Sequence, residues 1–134
     1  MTTEREITCI VCPLGCKIFV RSDGTAVETL KGNKCNKGVD YARNEVFDPR
    51  RLLTTSLLVK HGEWPLVSVK SSQPVPKEKI FSLLKELRKT TIEAPVKCGQ
   101  ILIKNAAYIG IDILATKTVK KSGKTIAVSP KKSR

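Results

Sequence analysis

Residues 7–38 read ITCIVCPLGCKIFVRSDGTAVETLKGNKCNKG, and this stretch decides how the chain begins to fold. It holds four of the five cysteines, Cys9, Cys12, Cys16 and Cys35, in the spacing C-x2-C-x3-C-x18-C. Three thiols within eight residues are costly to arrange for packing alone, and they can seat a metal centre. Residues 7–11 form a short apolar run that feeds a strand into the cysteine turn. Pro13 lacks a backbone N–H and Gly15 tolerates positive φ, so the chain can loop tightly between Cys12 and Cys16. Residues 17–21 alternate apolar and basic and predict a strand; Ser22-Asp23-Gly24 is a turn signal, and residues 25–31 return as a second strand before Gly32-Asn33. This hairpin carries Cys35 back toward the first three cysteines, so the 18-residue gap is compatible with one site.

Farther along, Val39, Ala42 and Val46 stand at helical spacing within 38–47, closed by Asp48-Pro49. Residues 52–59 are apolar and β-branched, His61-Gly62-Glu63 punctuates them, and 66–69 reads as the partner strand. Residues 71–76 are polar and proline-bearing, the best linker candidate in the chain. The clearest helix spans 77–89, with Ile80, Leu83, Leu84 and Leu87 on one face and Lys79, Lys85, Glu86, Arg88 and Lys89 on the other. Glu93-Ala94-Pro95 ends that pattern, and 100–104 and 109–116 read as two strands. The expected fold class is α+β. A small, β-hairpin-rich N-terminal iron–sulfur lobe (1–49) precedes a compact α+β lobe (50–118) with one clear amphipathic helix, and a basic flexible tail (119–134) follows.

The chain has 134 residues, 25 Lys+Arg against 12 Asp+Glu, and a net charge of +13, which points to an acidic partner or to solubility. Residues 117–134 contain seven basic residues and no acidic one. Base stacking needs aromatic faces, and with one Trp, two Tyr and three Phe the composition supports nucleic-acid binding only weakly. Residues 1–7 are polar with no apolar h-region, and no stretch approaches the roughly 18–20 apolar residues of a membrane span. The expectation is therefore a cytoplasmic chain whose thiols stay reduced, and five cysteines, an odd number, also argue against a closed disulfide framework.

Four thiolates suit tetrahedral zinc or an iron–sulfur cluster. Structural zinc usually takes two separated knuckles; the three-plus-one grouping here favours a 4Fe–4S cluster, with zinc as the alternative. Lys17, Lys31, Lys34 and Lys37 lie within a few residues of a ligand, where they either offset the negative charge of a cluster or form a solvated basic face.

The run Cys9-Ile10-Val11-Cys12-Pro13-Leu14-Gly15-Cys16, the hairpin, and Cys35-Asn36-Lys37-Gly38 together resemble the N-terminal 4Fe–4S domain of molybdopterin oxidoreductases. In that family the lysine of the closing motif lies between cluster and pterin, which makes Lys37 the candidate cofactor-binding residue. The chain ends about where the large pterin-binding domains would continue, so a molybdopterin site is not expected. Residues 7–118 are also similar to a small family from anaerobic bacteria and archaea. Besides the cysteines they share Tyr41-Ala42-Arg43-Asn44-Glu45, Pro49-Arg50-Arg51-Leu52-Leu53-Thr54-Thr55 and Gly110-Ile111-Asp112-Ile113-Leu114-Ala115-Thr116. Members accompany FAD-dependent oxidoreductases resembling anaerobic glycerol-3-phosphate dehydrogenase. The resemblance implies an electron-transfer accessory subunit and an FAD-dependent oxidoreductase as partner.

Cys98 stands alone and reads as a small buried apolar residue, and His61 as a polar turn residue. The 80–87 stripe reads as core or as a partner interface, and Tyr41 and Trp64 as half-buried or near a docking surface. Arg50-Arg51 can pair with Asp48 or with a partner's acidic rim. No G-x-S-x-G, H-E-x-x-H, Walker or G-x-G-x-x-G motif occurs, and one histidine leaves little for acid–base work, so a non-catalytic electron-transfer subunit is expected. Two rivals remain: a zinc-stabilised module binding nucleic acid through its basic tail, and a thiol–disulfide protein built on Cys9-Ile10-Val11-Cys12.

Overall fold

The computed structural model describes residues 1–123. The chain divides into two compact units, Met1–Arg50 and Arg51–Arg134.

In the first unit, β1 (Thr3–Thr8), β2 (Lys17–Ser22) and β3 (Val27–Lys31) form an antiparallel sheet in the order β1-β2-β3, followed by helix α1 (Asn36–Phe47). Strand alternation sorts β2 cleanly, with Ile18, Val20 and Ser22 buried and Lys17, Phe19 and Arg21 exposed. The buried face packs Ile18, Val20, Cys9 and Ala42 together, with Ile7, Leu30, Tyr41 and Val46 against them. β1 occupies residues that are polar in sequence and ends before the cysteines. Its polar side chains suit a strand because they pair across the sheet: Glu4 with Arg21 (2.6 Å) and Glu6 with Lys17 (3.3 Å).

The β2–β3 turn is built by Asp23. Its Oδ1 accepts from the N–H groups of Thr25 (2.8 Å) and Ala26 (2.7 Å) and from the Thr25 hydroxyl (2.8 Å), an Asx-type turn. The backbone N–H of Ala26, then those of Thr25, hold the Asp23 carboxyl below its ordinary range. A carboxylate lowered in the folded state stabilises the turn above its unfolded value, about pH 4, and that contribution is lost as pH falls through the folded value. Asp23→Asn keeps an acceptor but removes the titration. The variant is therefore expected to lose less stability than wild type between pH 4 and the acid limit, read from thermal unfolding across the acid range.

The second unit carries β4 (Arg50–Arg51) at its border, then β5 (Thr54–Lys60), β6 (Leu66–Ser71), β7 (Val75–Pro76), a single 3-10 turn (Lys77–Lys79), α2 (Ile80–Lys89), β8 (Thr91–Glu93), β9 (Ile101–Ala106) and β10 (Ile111–Ala115). Five of these strands form one sheet in the order β8-β5-β6-β10-β9. β8 lies parallel to β5, and a parallel pair needs a crossover, which α2 supplies. Leu57 and Val59 of β5, Val67 and Val69 of β6, and Ile111 and Ile113 of β10 form the inner face, and Leu83 and Leu87 of α2 close over the core. Each such side chain contributes about 1.5–3 kcal/mol on burial.

Three expectations are corrected here. The fold is mostly β, not the expected α+β: strands account for 42% of the structure and its two helices for 20%. The helix of 77–89 is present as the 3-10 turn and α2, but the short strands β7 and β8 flank it, and sequence periodicity does not mark them. Residues 71–76 are not a linker. Ser71 is buried, its Oγ accepting from the Leu53 N–H (3.0 Å), and Val75 is fully buried. The segment from 119 onward begins inside the core of the second unit: Val119 is fully buried and exchanges both backbone hydrogen bonds with Val96 at 2.8 Å. The rest of the expected tail, residues 124–134, lies outside the described residues.

Candidate metal centre

The turn between β1 and β2 is the eight-residue loop 9–16, which carries Cys9, Cys12 and Cys16. The Cys9 N–H donates to the Cys16 carbonyl (2.8 Å), one step beyond the last sheet pair, Thr8 with Lys17. That bond closes the loop on itself and sets its two end cysteines side by side. The antiparallel β2–β3 pair then returns the chain, and Cys35 becomes the N-cap residue of α1.

All four of these cysteines line one cavity of about 130 Å³. Val11, Leu14, Lys34, Lys37 and Gly38 complete its wall, and no carboxylate is among them. A cavity needs roughly 10–15 Å³ of such space to hold one water, so the room between these thiols exceeds that of a single water or ion severalfold. Among the described residues, no group of three or more His, Cys, Asp or Glu side chains is arranged to hold a metal ion.

Their exposure is graded. Cys9 is buried at 5% and belongs to the core with Ile18 and Val20, Cys16 is half-buried and packed against that core, and Cys12 and Cys35 are exposed. Cys35 is extended (φ −154°, ψ 166°), with no side-chain hydrogen bond capping the helix. The first turn of α1 thus begins at the cavity wall, where a helix N-terminus carries partial positive charge and favours an anionic occupant. Lys34 and Lys37 add two formal charges on the same wall. α1 passes close to the core at Gly38, where an added Cβ would lie 3.2 Å from Ile18 Cδ1 and in ordinary contact with Cys9 Sγ at 3.9 Å.

Lys17 and Lys31, the other two lysines near the motif, are not in the cavity wall. Lys17 is paired with Glu6, and Lys31 borders a wider hollow of about 510 Å³ on the outer face of the three-stranded sheet. That hollow is lined by Phe19, Arg21 and the acidic Glu4 and Glu6, and holds no thiol or histidine, so its size does not make it the chemical site.

The remaining sequence candidates fall elsewhere. Cys98 is exposed, which overturns its reading as a buried apolar residue; its N–H donates to Thr118 Oγ1 (3.1 Å). His61 sits in a turn at φ 56° with Nδ1 against Glu93 Oε1, both side chains exposed. Trp64 is exposed and carries Lys117 Nζ 4.8 Å from its ring centroid, a cation–π contact. Arg50 pairs with Asp48 at 2.7 Å. Sequence reasoning missed the exposed apolar side chains Ile10, Val11 and Leu14 on the cysteine loop. The signal was available in the sequence, since a loop closed by its own cysteines has no strand or helix face to turn such residues inward.

The family model described as a protein of unknown function, DUF1667, matches residues 36–117, or 82 of the 134 residues. The match begins one residue after Cys35, so it covers Lys37 and α1 but none of the four cysteines. The NMR structure of the Clostridium perfringens protein CPE0013 is similar with a TM-score of 0.51 and 26% identity, over 60% of this chain and 95% of that one. No curated protein matches the chain. Among the described residues no helix is long and apolar enough to cross a membrane.

Proposed function

The chain belongs to the DUF1667 family, and we propose that it is an iron–sulfur electron-transfer accessory subunit of an oxidoreductase. One observation carries this reading: four thiols from two distant parts of the sequence wall a single cavity that contains no carboxylate. Thiolates are soft donors that select iron–sulfur clusters, zinc or copper(I), and a cavity with room for several atoms fits a cluster. Cys9, Cys12, Cys16 and Cys35 would be the ligands of a 4Fe–4S cluster. Bound there, such a cluster supplies one-electron transfer.

The chain's own residues prepare the site for it. Cys9 and Cys16 are held by the core, which fixes half of the ligand set before any metal arrives. Lys34, Lys37 and the N-terminus of α1 offset the negative charge that four thiolates and sulfide bring together. Val11 and Leu14 cover part of the wall with aliphatic surface, limiting water at the sulfurs. With all four cysteines as ligands such a cluster would have no open iron for a substrate, so the role in this reading is to carry electrons. The partner is an FAD-dependent oxidoreductase, the class implied by the resemblance of residues 7–118. A bridging role for Lys37 toward a second cofactor is not needed in this reading; it serves as counter-charge.

The test is elemental. Anaerobically isolated protein is expected to carry about four iron and four acid-labile sulfide per chain. One zinc per chain with neither iron nor sulfide overturns the reading.

A further inference from the structure

Ile10, Val11 and Leu14 are exposed at 69%, 49% and 67%, and all three lie on the loop that carries Cys9, Cys12 and Cys16. They are not a frayed end: the loop is tied by the bond between the Cys9 N–H and the Cys16 carbonyl, and the core of the first unit is completed by Ile7, Ile18, Val20 and Leu30 without them. Val11 and Leu14 also line the cavity, as do Lys34 and Lys37 from the other side of the site. The two exposed cysteines of the site come one from the loop, Cys12, and one from the start of α1, Cys35.

We propose that this aliphatic collar with its two lysines is a docking face for a partner protein whose contact surface is apolar at the centre and rimmed by carboxylates. Several exposed apolar side chains on one short loop beside a functional site point to an interaction surface. The charge pattern selects the partner: Lys34 and Lys37 have no carboxylate beside them in the wall, whereas Lys17 is already taken by Glu6. The collar has no aromatic side chain on which a nucleobase would stack. Electrostatic attachment to an anionic membrane takes clusters of about 4–8 basic residues beside the apolar surface, and two stand here. An apolar centre with an acidic rim is what remains. Docking of this kind brings the partner to the exposed edge of the four-cysteine site and leaves the buried Cys9 edge inside the fold.

The proposal rests on the four cysteines being the functional site, and the test keeps the two apart. The probe is an oxidised flavodoxin, an acidic flavoprotein, titrated by calorimetry into anaerobic full-length holoprotein. Ile10→Glu is the decisive variant because Ile10 is exposed and does not line the cavity. Binding is expected to weaken about tenfold or more in Ile10→Glu, to weaken in Lys34→Glu and with added salt, and to be unchanged in Leu58→Glu, an exposed leucine of the second unit. Iron and sulfide are measured in every variant. Wild-type protein with its full metal content that fails to bind the probe, or binding unchanged in Ile10→Glu, overturns the docking face and leaves the cluster reading standing. Binding to phosphatidylserine vesicles that is lost in Ile10→Glu also overturns it, in favour of a membrane surface. Zinc in place of iron with the collar still binding as described removes the cluster and keeps the docking face.

Discussion

Serine at Cys9, Cys12, Cys16 or Cys35 is expected to remove most of the iron and sulfide from the isolated protein, with loss of its visible absorption. An alcohol is a hard, weakly acidic donor in place of a soft thiolate, and the affinity of thiol-ligated sites depends on that softness. Outer-shell changes around metal ligands already cost about 10–100-fold in affinity, so a ligand change is expected to exceed that. The four variants should differ in a second property. Cys12 is exposed, so its replacement is expected to leave the stability of the metal-free fold within about 0.5 kcal/mol, whereas serine at the exposed N-cap position Cys35 is expected to cap α1 and stabilise that fold by about 1 kcal/mol. Cys9 is buried at 5% in the core of the first unit, so its hydroxyl variant also places a polar group there at a cost of roughly 1–3 kcal/mol. Cys98→Ser is the control: it is exposed, belongs to the second unit and does not line the cavity. Iron and sulfide analysis with chemical denaturation separates the two effects. Full metal content in all four single variants would dismiss the cysteines as ligands.

The cysteine loop and its hairpin were legible because their signals are local. A turn residue, Asp23, and a glycine that ends the second strand are enough to bring Cys35 back, and the structure builds that return with the Asp23 hydrogen bonds. The same is true of α2, whose Leu83 and Leu87 are buried as their spacing predicts. The fold class was not legible, because the information lies in pairings between distant residues. β8 is three residues long and is a strand only because β5, some thirty residues earlier, offers it an edge. β9 was legible as a strand from its apolar run at 100–104, but its register with β10, which shifts twice, was not. β1 carries three consecutive charges, Glu4, Arg5 and Glu6, and the two glutamates make sense only beside Arg21 and Lys17. Periodicity registers an amphipathic helix strongly and strands of two or three residues hardly at all.

The site was partly legible. Spacing marks the four cysteines as candidates, but not how far each stands from solvent, which depends on the core beneath Cys9 and Cys16. Nor does spacing reveal that Lys34 and Lys37 belong to the cavity wall while Lys17 and Lys31 do not. That distinction comes from the pleat. Lys17 and Lys31 point outward on the sheet face with Phe19, whereas the chain after Lys31 leaves the sheet and enters α1. The family match covers 36–117 and leaves out the cysteine loop, so the reading of the site rests on the cavity and not on the family.

Gly32→Ala is expected to be the most damaging single change outside the cysteines, because this residue joins the sheet to the site. Gly32 adopts φ 97°, which an L-residue rarely takes, and a Cβ built on it would lie 2.2 Å from the Lys17 carbonyl oxygen and 3.3 Å from its carbon. The obstacle is backbone, not a side chain that can swing away. Lys17 is itself held in register by Thr8 on the β1 side, directly after Cys16. Relief therefore requires the end of β3 to separate from β2 at the place where Cys35 is being returned to Cys9 and Cys16. Gly24→Ala isolates the clash from the dihedral: its φ is 95°, nearly the same, yet nothing lies within 4 Å of the added methyl. The Gly24 variant is expected to lose about 1 kcal/mol, and the Gly32 variant about 3 kcal/mol or more, with most of its metal. Trp64, the one tryptophan, lies in the second unit, so its fluorescence reports that unit's unfolding and is expected to be unchanged in both variants. Hydrogen exchange at the Phe19 and Val20 amides of β2 reports the first unit and is expected to accelerate far more in Gly32→Ala than in Gly24→Ala. Equal acceleration in the two would mean that the left-handed dihedral alone sets the cost, and that β3 does not need its close passage over Lys17 to deliver Cys35.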